Sequence, residues 1–214
     1  VSDSGYGDFE FERRFVARDV PRELLDESPP TLIVQSYYLA DDGYALRLRV
    51  QSSTARAVLD DRSDAVDVLD AHADAFDFCA LTAKGPMVGG TRYEAERELD
   101  VSVGVEMVRR GGLRIVKNRH AVWLGADGWV IDVFGGANHP LVVAECERSG
   151  PVVDLQIPSF CVTEVTEDHR FANDALVHEP FARWAGAFER ELESQGPRFL
   201  QGFGRNQALP GDQR

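Results

Sequence analysis

Asp8-Phe-Glu-Phe-Glu-Arg-Arg-Phe15 decides how the chain is read, because at the two-residue period of a strand its side chains sort cleanly. Glu10, Glu12 and Arg14 fall on one face, Phe9, Phe11 and Phe15 on the other. A lone strand of this kind is an amphipathic edge with a solvated charged face. Repetition changes that reading. Arg47 and Arg49 share one face of Tyr44–Val50, and Thr82 and Lys84 one face of Phe76–Lys84. Arg92, Glu94 and Glu96 align, as do Lys117 and Arg119, while Asp132 stands between Ile131 and Val133 and Glu145 and Glu147 flank Cys146.

Between these strands the punctuation is conventional. Asp19-Val-Pro opens a short helix ending near Ser28-Pro-Pro30, and Asp41-Asp-Gly43 turns Thr31–Ala40 into Tyr44–Val50. Ser52–Ala75, rich in Ala, Asp and Val, reads as a partly helical insertion that caps a barrel mouth or decorates the surface. Asp100–Arg110 reads as an amphipathic helix stopped by Gly111-Gly112, with Val103, Met107 and Val108 toward the core. Pro151–Thr166 reads as irregular. Phe181–Ser194 reads as a helix with Phe181, Trp184, Ala185, Phe188 and Leu192 on one stripe, stopped by Gly196. Residues 1–196 form one domain in this reading, and 197–214 a mobile tail.

Composition narrows the function. At 43% hydrophobic and 28% charged residues over 214 positions, the chain has material for a real core. Its net charge of −13 argues against nucleic acid or an anionic membrane as partner, so any polyanion must meet a local basic site. No apolar run approaches transmembrane length and no leader pattern opens the sequence, which points to the cytoplasm. Cys79, Cys146 and Cys161 lack C-x-x-C spacing and read as small buried hydrophobes.

The spacing-two charges comprise seven acids, Glu10, Glu12, Glu94, Glu96, Asp132, Glu145 and Glu147, and seven bases, Arg14, Arg47, Arg49, Lys84, Arg92, Lys117 and Arg119. Burying them dry would cost several kcal/mol each even after pairing. An antiparallel β-barrel with a wet, charged lumen avoids that cost, with outward apolar faces covered by helices in an α+β fold. Paired carboxylates are hard oxygen ligands for Mg2+ or Mn2+, and clustered Arg and Lys bind phosphoryl oxygens. Together they suggest a metal-bound polyphosphate.

At this point the chain resembles the CYTH, or triphosphate tunnel metalloenzyme, family over about Asp8 to Leu176. Glu10-Phe-Glu-Arg-Arg14 is similar to its E-x-E-x-K, with Arg for Lys; Gln35-Ser-Tyr37 to Q-x-Y; Arg47-Leu-Arg49 to R-x-R; Thr82-Ala-Lys84-Gly-Pro to T-x-K-G-P; and Arg92-Tyr-Glu-Ala-Glu96 to R-x-E-x-E. Lys117-Asn-Arg119, Asp132, Glu145-Cys-Glu147 and Glu164-Val-Thr166 complete the order. The resemblance implies an eight-stranded tunnel, a divalent metal and a small-molecule triphosphate substrate. It implies phosphate contacts from Arg14, Arg47, Arg49, Lys84, Arg92, Lys117 and Arg119, metal ligands among the seven acids, and catalytic roles for Glu10, Glu12 and Tyr37. Arg14 departs from the signature and cannot serve as a titrating acid or base. Hydrolysis of tripolyphosphate leads, with an adenylyl cyclase and a non-catalytic polyphosphate-binding module as alternatives. Thiamine triphosphate and RNA 5′-triphosphate remain open as substrates.

Overall fold

The computed structural model describes residues 9–27 and 29–209. Asp8, the Ser28 end of the first helix and the last residues of the tail lie outside them. In chain order the elements are β1 (Phe9–Ala17), α1 (Arg22–Glu27), β2 (Thr31–Asp41), β3 (Tyr44–Ser52), α2 (Ala65–Ala71), β4 (Phe78–Lys84), β5 (Thr91–Glu98) and α3 (Val101–Arg110). There follow β6 (Leu113–Leu124), β7 (Asp127–Phe134), β8 (Val142–Arg148), β9 (Gln156–Ile157), β10 (Cys161–Glu164), α4 (Asn173–Leu176), α5 (Ala185–Gln195) and β11 (Gln207–Ala208). No helix among the described residues is long and apolar enough to cross a membrane.

Eight antiparallel strands close on themselves in the order β1-β5-β4-β3-β2-β6-β7-β8, and β8 returns to β1 through Glu12 opposite Glu147 and Arg14 opposite Glu145. Closure lets alternation send every second side chain inward. One seam is split. Phe9–Phe11 pair with β5, whereas Phe15–Ala17 pair with β10. Between them Glu12 N–H donates to Gly90 C=O at 3.0 Å, Arg14 N–H donates to Thr166 Oγ1 at 3.1 Å, and Arg14 C=O accepts from Val165 N–H at 2.8 Å. The strand that carries the signature residues is thus held by two separate loops.

The outward faces are covered as the alternation demands. Leu48 and Val50 of β3 pack under Ala55 and Leu69 of the insertion and Val105 and Val108 of α3. The insertion is therefore a wall cover, and Asp64 caps its helix by accepting from Val66 and Asp67 N–H. On α3 the buried residues are Gly104, Val105 and Val108, while Val103 is 52% and Met107 38% exposed. The sequence reading was right at Val108, wholly buried, and wrong at Val103 and Met107. A Cβ on Gly104 would stand 2.2 Å from Cys79 Sγ, so this glycine brings α3 onto the wall, and the contact face follows it. Phe15, Trp129, Ile131 and Cys146 form a second outer cluster with Leu155, Phe160 and Cys161 of the segment read as irregular. All three cysteines are free and buried.

The residues after 196 are not a loose tail over their described length. Gln207–Ala208 pair in parallel with Gln156–Ile157, and Asn206 Oδ1 accepts from Arg13 at 3.0 Å. Arg13 explains this: it lies on the apolar face of β1, fully buried, and needs polar partners that only the C-terminal segment and Glu164 bring.

At one end the lumen face itself turns apolar. Val16, Ile115, Phe134 and Val143 stand two residues beyond Arg14, Lys117, Asp132 and Glu145 on the same strand faces, and they cluster with Phe171, Leu176, Phe181, Trp184 and Phe188. The rings meet edge to face, Phe171 and Trp184 with centroids 5.0 Å apart, and Asn138 Oδ1 accepts from Phe181 N–H at 2.8 Å to anchor the plug. Each buried ring contributes roughly 1.5–3 kcal/mol. The helix read from Phe181 opens here as a 3-10 turn, and α5 begins only at Ala185.

Candidate active site

A cavity of about 540 Å³ occupies the barrel interior. Of the residues singled out in the sequence, Glu10, Glu12, Arg14, Tyr37, Arg47, Arg49, Lys84, Arg92, Glu94, Glu96, Arg119, Glu145 and Glu147 line it. The two-residue period put them there. Lys117 and Asp132 do not line it, and Asn173 and Asp174 from α4 do. Those two carry no alternation signal, because they reach the lumen from a four-residue helix against the plug.

The cations of β3 and β4 hold the carboxylates of the neighbouring β5 and β1. Lys84 Nζ donates to Glu10 Oε2 at 2.9 Å and lies 2.5 Å from Glu94 Oε2. Arg47 donates to Thr82 Oγ1 at 2.9 Å and to Glu96 at 3.3 Å, and Arg49 donates to both oxygens of Glu96 at 3.2 and 3.1 Å. Even so, Nε of Arg14, Arg47, Arg49 and Arg92 is buried without a hydrogen-bond partner. Arg14 Nε comes within 3.1 Å of Glu12 Oε1 but is not aligned with it. Four buried guanidinium groups with unused donors are costly unless another acceptor arrives.

The carboxylates are unequal. Burial raises Glu12 to about 8, against the pull of Arg14 and with the help of Glu145 and Glu10. Burial, with Glu10, Glu94 and Glu145 nearby, also raises Glu147. Glu94 goes the other way: burial would raise it, but its hydrogen bond with Glu10 and the charges of Lys84 and Arg47 bring it down to about 2. Tyr37 faces the lumen, and Tyr38 is the exposed ring of the pair. Burial pushes the Tyr37 phenol well up, so it stays protonated, and its oxygen accepts from Gln35 Nε2 at 3.1 Å.

Asp132 is spoken for. Its oxygens accept from Lys117 at 2.5 Å and from Arg119 at 2.7 and 2.6 Å, and these two cations overcome burial to hold it far below the usual carboxylate range. In return it orients Arg119, which also reaches Glu145 at 3.2 Å. Lys117, brought down to about 8 by burial against the pull of Asp132, touches Asn173 Oδ1 at 3.3 Å and sits 5.2 Å from the Phe134 ring centroid. It stands where the charged lumen meets the plug.

The donor chemistry fits a hard divalent cation: Glu12, Glu145, Glu147 and Glu10 are oxygen donors whose negative charges disfavour one another. Among the described residues no group of three or more His, Cys, Asp or Glu is set to hold an ion as it stands. Glu94 and Glu96 are turned to the cations instead, and Glu10 would have to leave Lys84 to join the set.

No protein-family model matches the chain. It is 33% identical over 103 residues to an inorganic triphosphatase of Acetivibrio thermocellus; the match covers 47% of this chain and 66% of that protein, a little under two thirds of its length. A crystal structure of the inorganic triphosphatase NE1496 is 26% identical with a TM-score of 0.49, covering 78% of this chain and 93% of that one.

Proposed function

We infer that the chain is a member of the CYTH, or triphosphate tunnel metalloenzyme, family and hydrolyses the terminal phosphoanhydride bond of tripolyphosphate or a related triphosphate inside its barrel. The observation that carries this is the set of four buried Nε donors, on Arg14, Arg47, Arg49 and Arg92, without a hydrogen-bond partner among the described residues, in a cavity that crowded carboxylates line as well. The relative described as an inorganic triphosphatase supports the same reading.

The residues divide the work. Arg14, Arg47, Arg49, Lys84, Arg92 and Arg119 bind and neutralise the phosphate chain, exchanging carboxylate partners for phosphoryl oxygens, Arg as a fork and Lys as a point charge. Glu12, Glu145, Glu147 and Glu10 would hold Mg2+ or Mn2+, and when bound such an ion supplies further charge neutralisation at the phosphoryl oxygens. Asp132 holds Arg119 in place. Glu12 and Glu10 orient the attacking water, whose proton passes to a lumen carboxylate. Tyr37 remains a donor throughout and steadies a phosphate oxygen. Water adds to the terminal phosphorus, the bridging P–O bond breaks, and orthophosphate and pyrophosphate leave. The plug keeps bulk water out of one end of the lumen.

Hydrolysis needs only the phosphate chain and a water. The described lumen residues account for both, and the insertion that could have offered a base pocket lies on the outer wall. The test is orthophosphate release from tripolyphosphate, thiamine triphosphate, ATP and RNA 5′-triphosphate with Mg2+ or Mn2+. Tripolyphosphate should be the fastest, and no release from any of the four would overturn the reading.

A further inference from the structure

A second cavity of about 610 Å³ adjoins the lumen, and the two share Arg14, Arg92 and Asp174. It opens at the split seam, between the turn at Gly43, the loop at Gly89 and the segment from Thr166 to Ala172. The balance of charge changes across the three shared residues. On the lumen side Arg47, Arg49, Lys84 and Arg119 join the two shared arginines. On the far side, among the described residues, His169 is the one further basic side chain in the lining, and Asp42 and Glu167 join Asp174.

Asp174 is fixed at that boundary. It is 6% exposed on α4, a helix anchored by Leu176, which is wholly buried in the plug. Beside it Arg14 and Arg92, 4% and 7% exposed, each keep an Nε without a hydrogen-bond partner. Arg92 makes only a long 3.4 Å contact to Gly43 C=O. Two buried donors are unused at this boundary, and the Asp174 carboxylate lines both cavities beside them.

We propose that Asp174 is a specificity-determining residue that ends the phosphate track: the terminal phosphoryl group of a triphosphate rests on Arg14 and Arg92, and a further phosphate is repelled from the second chamber by Asp174, Asp42 and Glu167. This rests on the lumen being the triphosphate site. A carboxylate in a buried site interacts strongly with each added anionic charge, since little water screens it. The chain-length limit is therefore electrostatic. The second chamber is large enough for another phosphate and has the wrong sign for it.

The test compares tripolyphosphate with tetrapolyphosphate in the parent, Asp174→Asn and Asp174→Glu. Affinities are measured by calorimetry with chelator at fixed ionic strength, and kcat/KM with Mg2+. The parent should favour tripolyphosphate. Asp174→Asn, nearly isosteric, should shift the ratio toward tetrapolyphosphate by about tenfold, while Asp174→Glu keeps the parent's ratio. Glu167→Gln should move it the same way by less. A ratio unchanged in Asp174→Asn, by whichever of affinity and turnover is measurable, would overturn the proposal and leave the triphosphatase reading standing. Binding that shifts as stated without any turnover would sink the triphosphatase reading instead. If neither anion is bound or hydrolysed by the parent, both fall.

Discussion

Arg13 and Arg14 are neighbours on one strand, both buried, and chemically identical, yet the protein treats them in opposite ways. Arg13 points outward and is satisfied. It donates to Glu164 at 2.8 and 2.6 Å and to Asn206 at 3.0 Å, and its guanidinium lies 5.0 Å from the Phe203 ring centroid. Glu164 is completed by Thr166 Oγ1 and Leu200 N–H. Arg14 points inward, keeps an unused Nε, and faces carboxylates that repel one another. A buried charge with every nitrogen bonded holds the fold together; one with a nitrogen to spare is held ready for something else.

That contrast can be broken at several points. The largest effect is expected from removing the late acidic pair on the lumen side. Glu145→Gln with Glu147→Gln should lower turnover on the order of a thousandfold, while melting without metal stays the same or rises, because two mutually repelling carboxylates are gone. Near-normal turnover in that double variant would remove the site from the lumen. Next come the two arginines themselves. Arg13→Ala strands Glu164 and should cost about 3–5 kcal/mol of stability, with turnover of the folded protein little changed in the cold. Arg14→Ala should do the reverse, losing about a hundredfold in turnover with a much smaller change in melting. Equal effects on both quantities in both variants would erase the distinction.

A smaller effect concerns binding alone. Tripolyphosphate should raise the melting temperature by mass action, and sulfate at the same concentration much less. Arg47→Ala, Arg49→Ala and Lys84→Ala should each reduce that rise, and a full rise in all three would place the basic wall outside the binding site.

The smallest is a pH effect in protein stripped of metal. Glu12 binds its proton more tightly folded, near 8, than unfolded, near 4.5, so between those values the native state carries the extra proton and stability falls as pH rises. Glu12→Gln should flatten that fall. Its advantage over the parent should be absent below about pH 4.5 and reach on the order of 1–3 kcal/mol above pH 8. A melting profile unchanged by the substitution would mean that Glu12 is solvated in solution.

The lumen was legible from sequence because strand alternation is a strict rule: once Glu10, Glu12 and Arg14 share a face, the face of every partner strand follows from the register. The sequence leaves Tyr37 and Tyr38 open, since a one-residue slip would swap the two rings, and the register decides it with Tyr37 opposite Arg47. What alternation does not govern stayed hidden. Asn173 and Asp174 enter the lumen from a single helical turn with no repeat. Lys117 and Asp132 have lumen parity, but at the end where the lumen turns apolar they are buried against each other and against Arg119 rather than open to the cavity. Arg13 was obscured by the aromatic residues of its own face, and with it the reason for the C-terminal segment to pack. On α3 the stripe Val103–Met107 and the stripe Val105–Val108 differ by less than one turn, and the choice was made by Gly104 against Cys79, a contact invisible before the wall is built.

The central claim is that this lumen moves a phosphoryl group to water. Purified protein given Mg2+ or Mn2+ and equal concentrations of tripolyphosphate and ATP should release orthophosphate from tripolyphosphate faster than cyclic AMP or pyrophosphate appears from ATP. Cyclic AMP as the main product from ATP, with tripolyphosphate left intact, would contradict it.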